Sequence, residues 1–240
     1  MSGLVSWLAP REPSYILAAL FTAAIVQYAV HSRAPLWRQA CFWSGLCLLY
    51  AALHSGVDSF ARQILFVQTL QHIVLYGLAP VLMALSQPGD VFKGLSDVQS
   101  RLTVLTHPAI APVLLSAVLT LWLVPSIHAA TLTDDRIYRL MNCSLTVTGL
   151  VVWSAVLNGR ASAFARMAMT AAVLPVQVGL GIFLFTAGTG QLGPLDDQRL
   201  SGLTMIASGI MLTGGVSAVI GLRILSAARP VVQPAPSQMR

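Results

Sequence analysis

The sequence predicts an all-α fold: a polytopic membrane bundle of seven transmembrane helices, with the N-terminus outside and the C-terminus cytoplasmic. Three observations predict it. Hydrophobic residues make up 56% of the 240, and charged residues only 9%, where a soluble domain carries about 25% charged residues. The mean hydropathy is +0.75. The apolar residues also fall into blocks of roughly 20, the length that crosses about 30 Å of hydrocarbon as a helix. So few charges cannot wrap this much apolar surface, which excludes a soluble globular enzyme, and the same apolar content excludes disorder. The net charge of +6 fits basic residues flanking spans better than it fits nucleic-acid binding.

The elements follow in order. The first predicted span covers residues 14–30. It reads as retained, because no basic stretch precedes it and no small-residue cleavage site follows. The next spans cover 36–54, 63–85, 109–128, 137–157, 163–187 and 201–225. Each is expected to be helical, since backbone groups in lipid must be satisfied within their own segment. The linkers at 33–35, 55–58, 133–135, 158–160 and 188–194 are short and rich in turn formers, and 86–108 has room for an interfacial helix. Residues 1–228 read as one membrane domain and 229–240 (RPVVQPAPSQMR) as a disordered, Pro-rich cytoplasmic tail. Pro80, Pro125 and Pro175 interrupt three spans. Each removes a backbone donor and favours a kink. Gly179, Gly181, Gly209, Gly214 and Gly215 are expected to let helices approach closely.

Charge sorting sets the orientation. Seven spans place Arg33, Arg38, Lys93, Arg101, Arg160, Arg166, Arg223, Arg229 and Arg240 on one side. The other side holds Arg11, Arg62, Arg136, Arg139 and Arg199, with Glu12, Asp58, Asp134, Asp135, Asp196 and Asp197. The side richer in Lys and Arg is the cytoplasmic one.

No Asp, Glu, Lys or Arg lies near the middle of a predicted span, which argues against a charge-relay pump. The soft and polar residues cluster by depth instead. His54, His72, His128, Met141, Asn142, Cys143 and Met205 all lie toward the outer side. Imidazole and thioether are ligands that suit copper, Cys and Met favouring the cuprous ion. His72, the one histidine well inside a span, is the leading candidate, with His128, His54, Met141 and Met205 as further copper ligands. The structural alternative stands beside this. Met fills gaps between helices, and Gln68, one turn before His72 on the same face, fits a His–Gln hydrogen bond across helices. No HxxxH, CxxC or HxH spacing occurs, and no nucleophile elbow or P-loop appears.

The third predicted span and three later blocks carry a family resemblance. LFVQTLQHIVLYGLAPVLMALSQP at 65–88 resembles the signature of the CtaG family of multi-span cytochrome c oxidase assembly factors. Gln71 and His72 match its Q-H, Ala79 and Pro80 its A-P, and Pro88 its closing proline. HPAIAPVLLSAVLTLWLVPSIHAATL at 107–132, GLVVW at 149–153 and GPLDDQRLSGLTM at 193–205 are similar to its later blocks, in family order. Asp197, Gln198 and Gly202 carry the last match. The chain departs from the pattern where Gln68, Leu123 and Asn142 stand at positions the family gives to histidine.

The resemblance implies an assembly factor for a haem–copper cytochrome c oxidase in a bacterial cytoplasmic (inner) membrane. It implies copper handling on the extracytoplasmic side, with lipid bilayer and oxidase subunits as partners. It implies neither nucleic acid nor catalysis, and no cofactor besides copper. Two other readings stay open. The missing histidines suit a metal-free scaffolding subunit, and a small-molecule carrier would need a continuous polar path through the bundle.

Overall fold

In the computed structural model, residues 15–87, 104–158, 161–188 and 192–227 are described. The proposed tail at 229–240 and most of the 86–108 linker lie outside them. The described residues are helical, without strands. Helix α1 (Tyr15–His31) leads to α2 (Leu36–His54) and a short α3 (Gly56–Ala61). Helix α4 (Leu65–Ile73) runs through a π-helical turn (Val74–Leu78) into α5 (Ala79–Ser86). Then come α6 (Ile110–Trp122), α7 (Pro125–Thr133), α8 (Asp135–Asn158), α9 (Ala163–Thr186) and α10 (Leu195–Ala227).

Helical structure therefore stands at each of the seven predicted segments. Four stretches are long and apolar enough to cross a membrane: α4 to α5 taken together, α8, α9 and α10. The α6–α7 pair makes a fifth if it counts as one span, and it is bent by 69°. Helix α1 is apolar but short. Helix α2 carries Arg38, Gln39 and His54, which lower its hydropathy. The chain is thus a helical integral membrane protein with several spanning helices.

The α4–α5 stretch and α8 form the centre. Their apolar windows are 56% buried, against 33% for α9 and 28% for α10. Leu75, Ala79, Leu115, Tyr138, Met141, Leu145, Trp153 and Val156 are among the residues of this core. Helix α1 docks on α2 through Tyr28, which stacks on Phe42 with centroids 3.7 Å apart. Outward-facing Leu140, Val147, Leu203, Ile210 and Met211 are exposed, as lipid-facing side chains should be.

The three prolines act differently from one another. Pro175 lies within the continuous α9. Pro125 starts α7 after an extended Val124, so the expected fourth span is a sharp bend and not a continuous helix. Pro80 leaves the chain helical but converts the preceding turn to π geometry, where the Ala79 N–H donates to Val74 O. In an α-helix residue 80 would donate to the carbonyl of Tyr76, and proline has no N–H to give. Trp153 Nε1 donates to that carbonyl instead, at 2.7 Å. Gly149, one turn earlier on α8, allows the approach: a Cβ there would lie 2.5 Å from Tyr76 O.

Helix α10 begins at Leu195, six residues before the predicted span, and takes Asp196 and Asp197 into its first turn. Asp197 accepts from the N–H groups of Leu65 (2.7 Å) and Phe66 (2.9 Å). It thereby caps α4, whose preceding residue Ile64 offers no side-chain acceptor. Gln198 Nε2 donates to Leu184 O and Ala187 O at the end of α9. Gly202 and Gly181 face each other so closely that a Cβ on Gly202 would lie 2.5 Å from Gly181 O. A Cβ on Gly209 would lie 2.7 Å from Gln177 Oε1, whereas Gly179, Gly214 and Gly215 have open space around them.

Candidate functional site

Helix α4 and its π-helical turn place Thr69, His72, Ile73 and Tyr76 along one wall of a small cavity. Leu119 and Trp122 close it from α6, Leu123 from the cap that follows, Leu145 from α8, Leu184 from α9 and Met205 from α10. It offers about 20 Å³ of room, enough for one water molecule or one small ion. The His72 Nε2 is buried and has no hydrogen-bond partner. The His128 ring on α7 lies within electrostatic reach of His72, and its Nδ1 is likewise buried and unpartnered. The bend between α6 and α7 turns His128 inward, where it is only 3% exposed.

Two more polar atoms on these elements lack partners: Gln68 Nε2, one turn before His72, and Asn142 Oδ1 on α8. Buried polar groups are nearly always hydrogen-bonded, and each exception asks for an explanation. For His72, which lines the cavity, a ligand or water there would supply one. The rest of the wall is well tied. Tyr76 OH accepts from Gln177 Nε2 at 2.9 Å, and Trp122 Nε1 donates to Ser144 Oγ at 2.9 Å.

Of the five residues expected as ligands, His72 and Met205 line this cavity, while His128 is not among its lining residues and lies within electrostatic reach of His72. The other two go elsewhere. His54 packs edge-on against Tyr50, with centroids 5.2 Å apart. Met141 is fully buried in the central apolar cluster. No group of three or more His, Cys, Asp or Glu residues suited to a metal exists among the described residues. His72 and Met205 bring an imidazole-bearing and a thioether-bearing residue to one cavity, and both groups are copper ligands, the thioether favouring the cuprous ion.

Residue reasoning missed a polar constellation at the α3 end of the bundle. Gln71 Nε2 donates to Ala52 O (2.7 Å) and to Asp58 Oδ1 (3.0 Å), and its Oε1 accepts from Tyr138 OH (2.9 Å). Arg62 pairs with Asp135 and lies 3.7 Å from Asp58. Its guanidinium also stacks 4.0 Å from the Tyr138 ring centroid. Burial pushes the Asp58 carboxyl up, opposed by its hydrogen bond from Gln71, by the neighbouring Tyr138 hydroxyl and by the charge of Arg62. Gln71 sits next to His72 in the chain, so this network fixes the helix that carries the histidine. The Q-H pair was the available signal: Gln71 anchors, and His72 faces the cavity.

A family model for the cytochrome c oxidase caa3 assembly factor matches residues 19–227. The chain belongs to the caa3 assembly factor family. No curated protein and no solved structure matches it. The caa3 assembly factor match takes in every element that builds the cavity, from α4 to α10. The motif residues of this assembly factor now divide into two kinds. Ala79 and Pro80, Gly149 and Trp153, and Asp197, Gln198 and Gly202 hold helices together. His72 is the motif residue that presents an unsatisfied side-chain atom to a cavity.

Proposed function

We propose that this assembly factor handles copper for a haem–copper oxidase, receiving the cuprous ion at the His72–Met205 cavity from the extracytoplasmic side. The protein acts without catalysis and works beside oxidase subunits in a bacterial cytoplasmic membrane. The chain threads the bilayer seven times, with its N-terminus outside. One observation carries the copper reading: the buried, unpartnered Nε2 of His72 in a cavity it shares with a thioether. Copper is cargo in this reading. His72 and Met205 would bind it, with His128 as a third donor. Such a set keeps coordination positions open, and the ion would leave by ligand exchange.

The test is to purify the full chain in detergent, load it with cuprous ion and count the bound metal. About one ion per chain is expected, with a clear loss in His72→Gln, in Met205→Leu and in His128→Gln. Equal copper in all four proteins overturns the reading.

A metal-free scaffolding role is the second reading. The observation that favours it is Gln68 and Asn142 at positions where the family resemblance expects histidine. It predicts copurification with mature oxidase at fixed stoichiometry, unchanged by His72→Gln.

A further inference from the structure

At the far end of α8 from Asp135, three arginines from three different helices converge. Arg166 Nη1 on α9 and Arg223 Nη1 on α10 both donate to the carbonyl of Leu157, at 3.4 Å and 2.7 Å. Arg38 on α2 and Arg166 are each close enough to Arg223 to act on it electrostatically. Both ion pairs among the described residues involve Arg62, at the other end of α8. No carboxylate among the described residues pairs with any of these three arginines. The Leu157 carbonyl is part of a helix C-terminus worth in all roughly half a negative charge, which does not balance three guanidinium groups. The Nε atoms of Arg38 and Arg166 are moreover buried and without a hydrogen-bond partner. An arrangement of this kind is stable where an anion completes it.

We propose that Arg38, Arg166 and Arg223 form a binding site for a phosphate group, the headgroup phosphate of an anionic phospholipid. Guanidinium presents a planar fork of donors that matches phosphate oxygens. Unpartnered Nε atoms are part of that fork. The surroundings suit a lipid. Leu36 (83% exposed), Phe164 (82%) and Leu222 (66%) lie beside the three arginines in sequence and face outward, where acyl chains would run. The site brings together α2, α9 and α10 at the end of α8, so an occupied site would tie four helices together.

The test uses the full chain in detergent and reads its melting temperature. Dioleoylphosphatidylglycerol, dioleoylphosphatidylcholine and inorganic phosphate are titrated separately. Phosphatidylglycerol is expected to raise the melting temperature by about 5–10 °C at a hundredfold excess over its dissociation constant, and phosphatidylcholine far less. The Arg38→Gln/Arg166→Gln variant is expected to lose the shift. Arg139→Gln, which removes one charge near the opposite end of α8, is expected to keep it. If the double variant does not fold, native mass spectrometry of Arg38→Gln counts the anionic lipids retained, and fewer than in the unaltered chain are expected. Inorganic phosphate reproducing the full shift supports the site but assigns it to the free anion. Equal shifts from the two lipids, or an undiminished response in the arginine variants, overturn the proposal.

Discussion

Tyr76 shows how a few residues hold the centre of this molecule. Its carbonyl loses its helical partner because residue 80 is proline, and Trp153 replaces that partner from another helix. Gly149 makes room for the contact. Trp153→Phe removes only the donor's N–H and some ring volume. A buried carbonyl left unsatisfied costs about 1–3 kcal/mol, so the variant is expected to unfold earlier in a detergent titration. In a Pro80→Ala background, residue 80 regains an N–H that can serve the same carbonyl. The loss from Trp153→Phe should then shrink, while the packing cost stays the same in both backgrounds. Equal losses in the two backgrounds would show that the tryptophan acts through packing alone. Pro80, Gly149 and Trp153 were all legible as motif residues in the sequence. Their mutual contact was not, because it depends on how two helices are rotated about their axes, and hydropathy does not encode rotation. The same limit hid the Asp58–Gln71–Tyr138–Arg62 constellation, and it separated His72 and Met205, which share a cavity, from Met141, which lies in the core.

Among the elements, helix position was read best and helix ends worst. Each apolar block is helical because lipid permits little else. The ends depend on capping partners supplied from far along the chain. Helix α4 begins at Leu65 under a cap from Asp197, which belongs to the first turn of α10. No local pattern announces a cap more than a hundred residues away, so Asp197 and Gln198 stood outside the predicted span. The bend at Leu123–Val124 was likewise read as a kink within one span, since proline marks a break without setting its angle. Asp197→Ala leaves two helix-terminal N–H groups without their acceptor, at an expected cost of about 1–2 kcal/mol. Hydrogen exchange is the sharper measurement. Protection at the Leu65 and Phe66 amides should fall selectively, with the α8 amides unchanged. A uniform fall across the bundle would mean that Asp197 acts on global stability and not as a cap on α4.

At the scale of the whole molecule, α8 works as a ruler. Its 24 residues span about 36 Å at 1.5 Å per residue, close to a full bilayer crossing. Asp135 at one end joins Arg62 and Asp58, while the Leu157 carbonyl at the other end receives Arg166 and Arg223. Asp58, Asp135 and Arg62 thus gather at one end of the helix, and at the other stand arginines that pair with no carboxylate among the described residues. With the arginine end in the cytoplasm, as the positive-inside rule favours, the proposed seven crossings would put the two chain ends on opposite sides. This topology can be tested with single cysteines. In a chain whose Cys41, Cys47 and Cys143 are replaced by serine, Asp134→Cys and Ser226→Cys place one thiol near each end, both at exposed positions. A membrane-impermeant maleimide added to spheroplasts is expected to label position 134 at once and position 226 only after permeabilisation. Labelling of both in intact spheroplasts would remove the odd number of crossings between them. It would also leave the His72 cavity with no assigned side from which to receive copper, since the outward placement of α4's N-terminus rests on the same arrangement of charge.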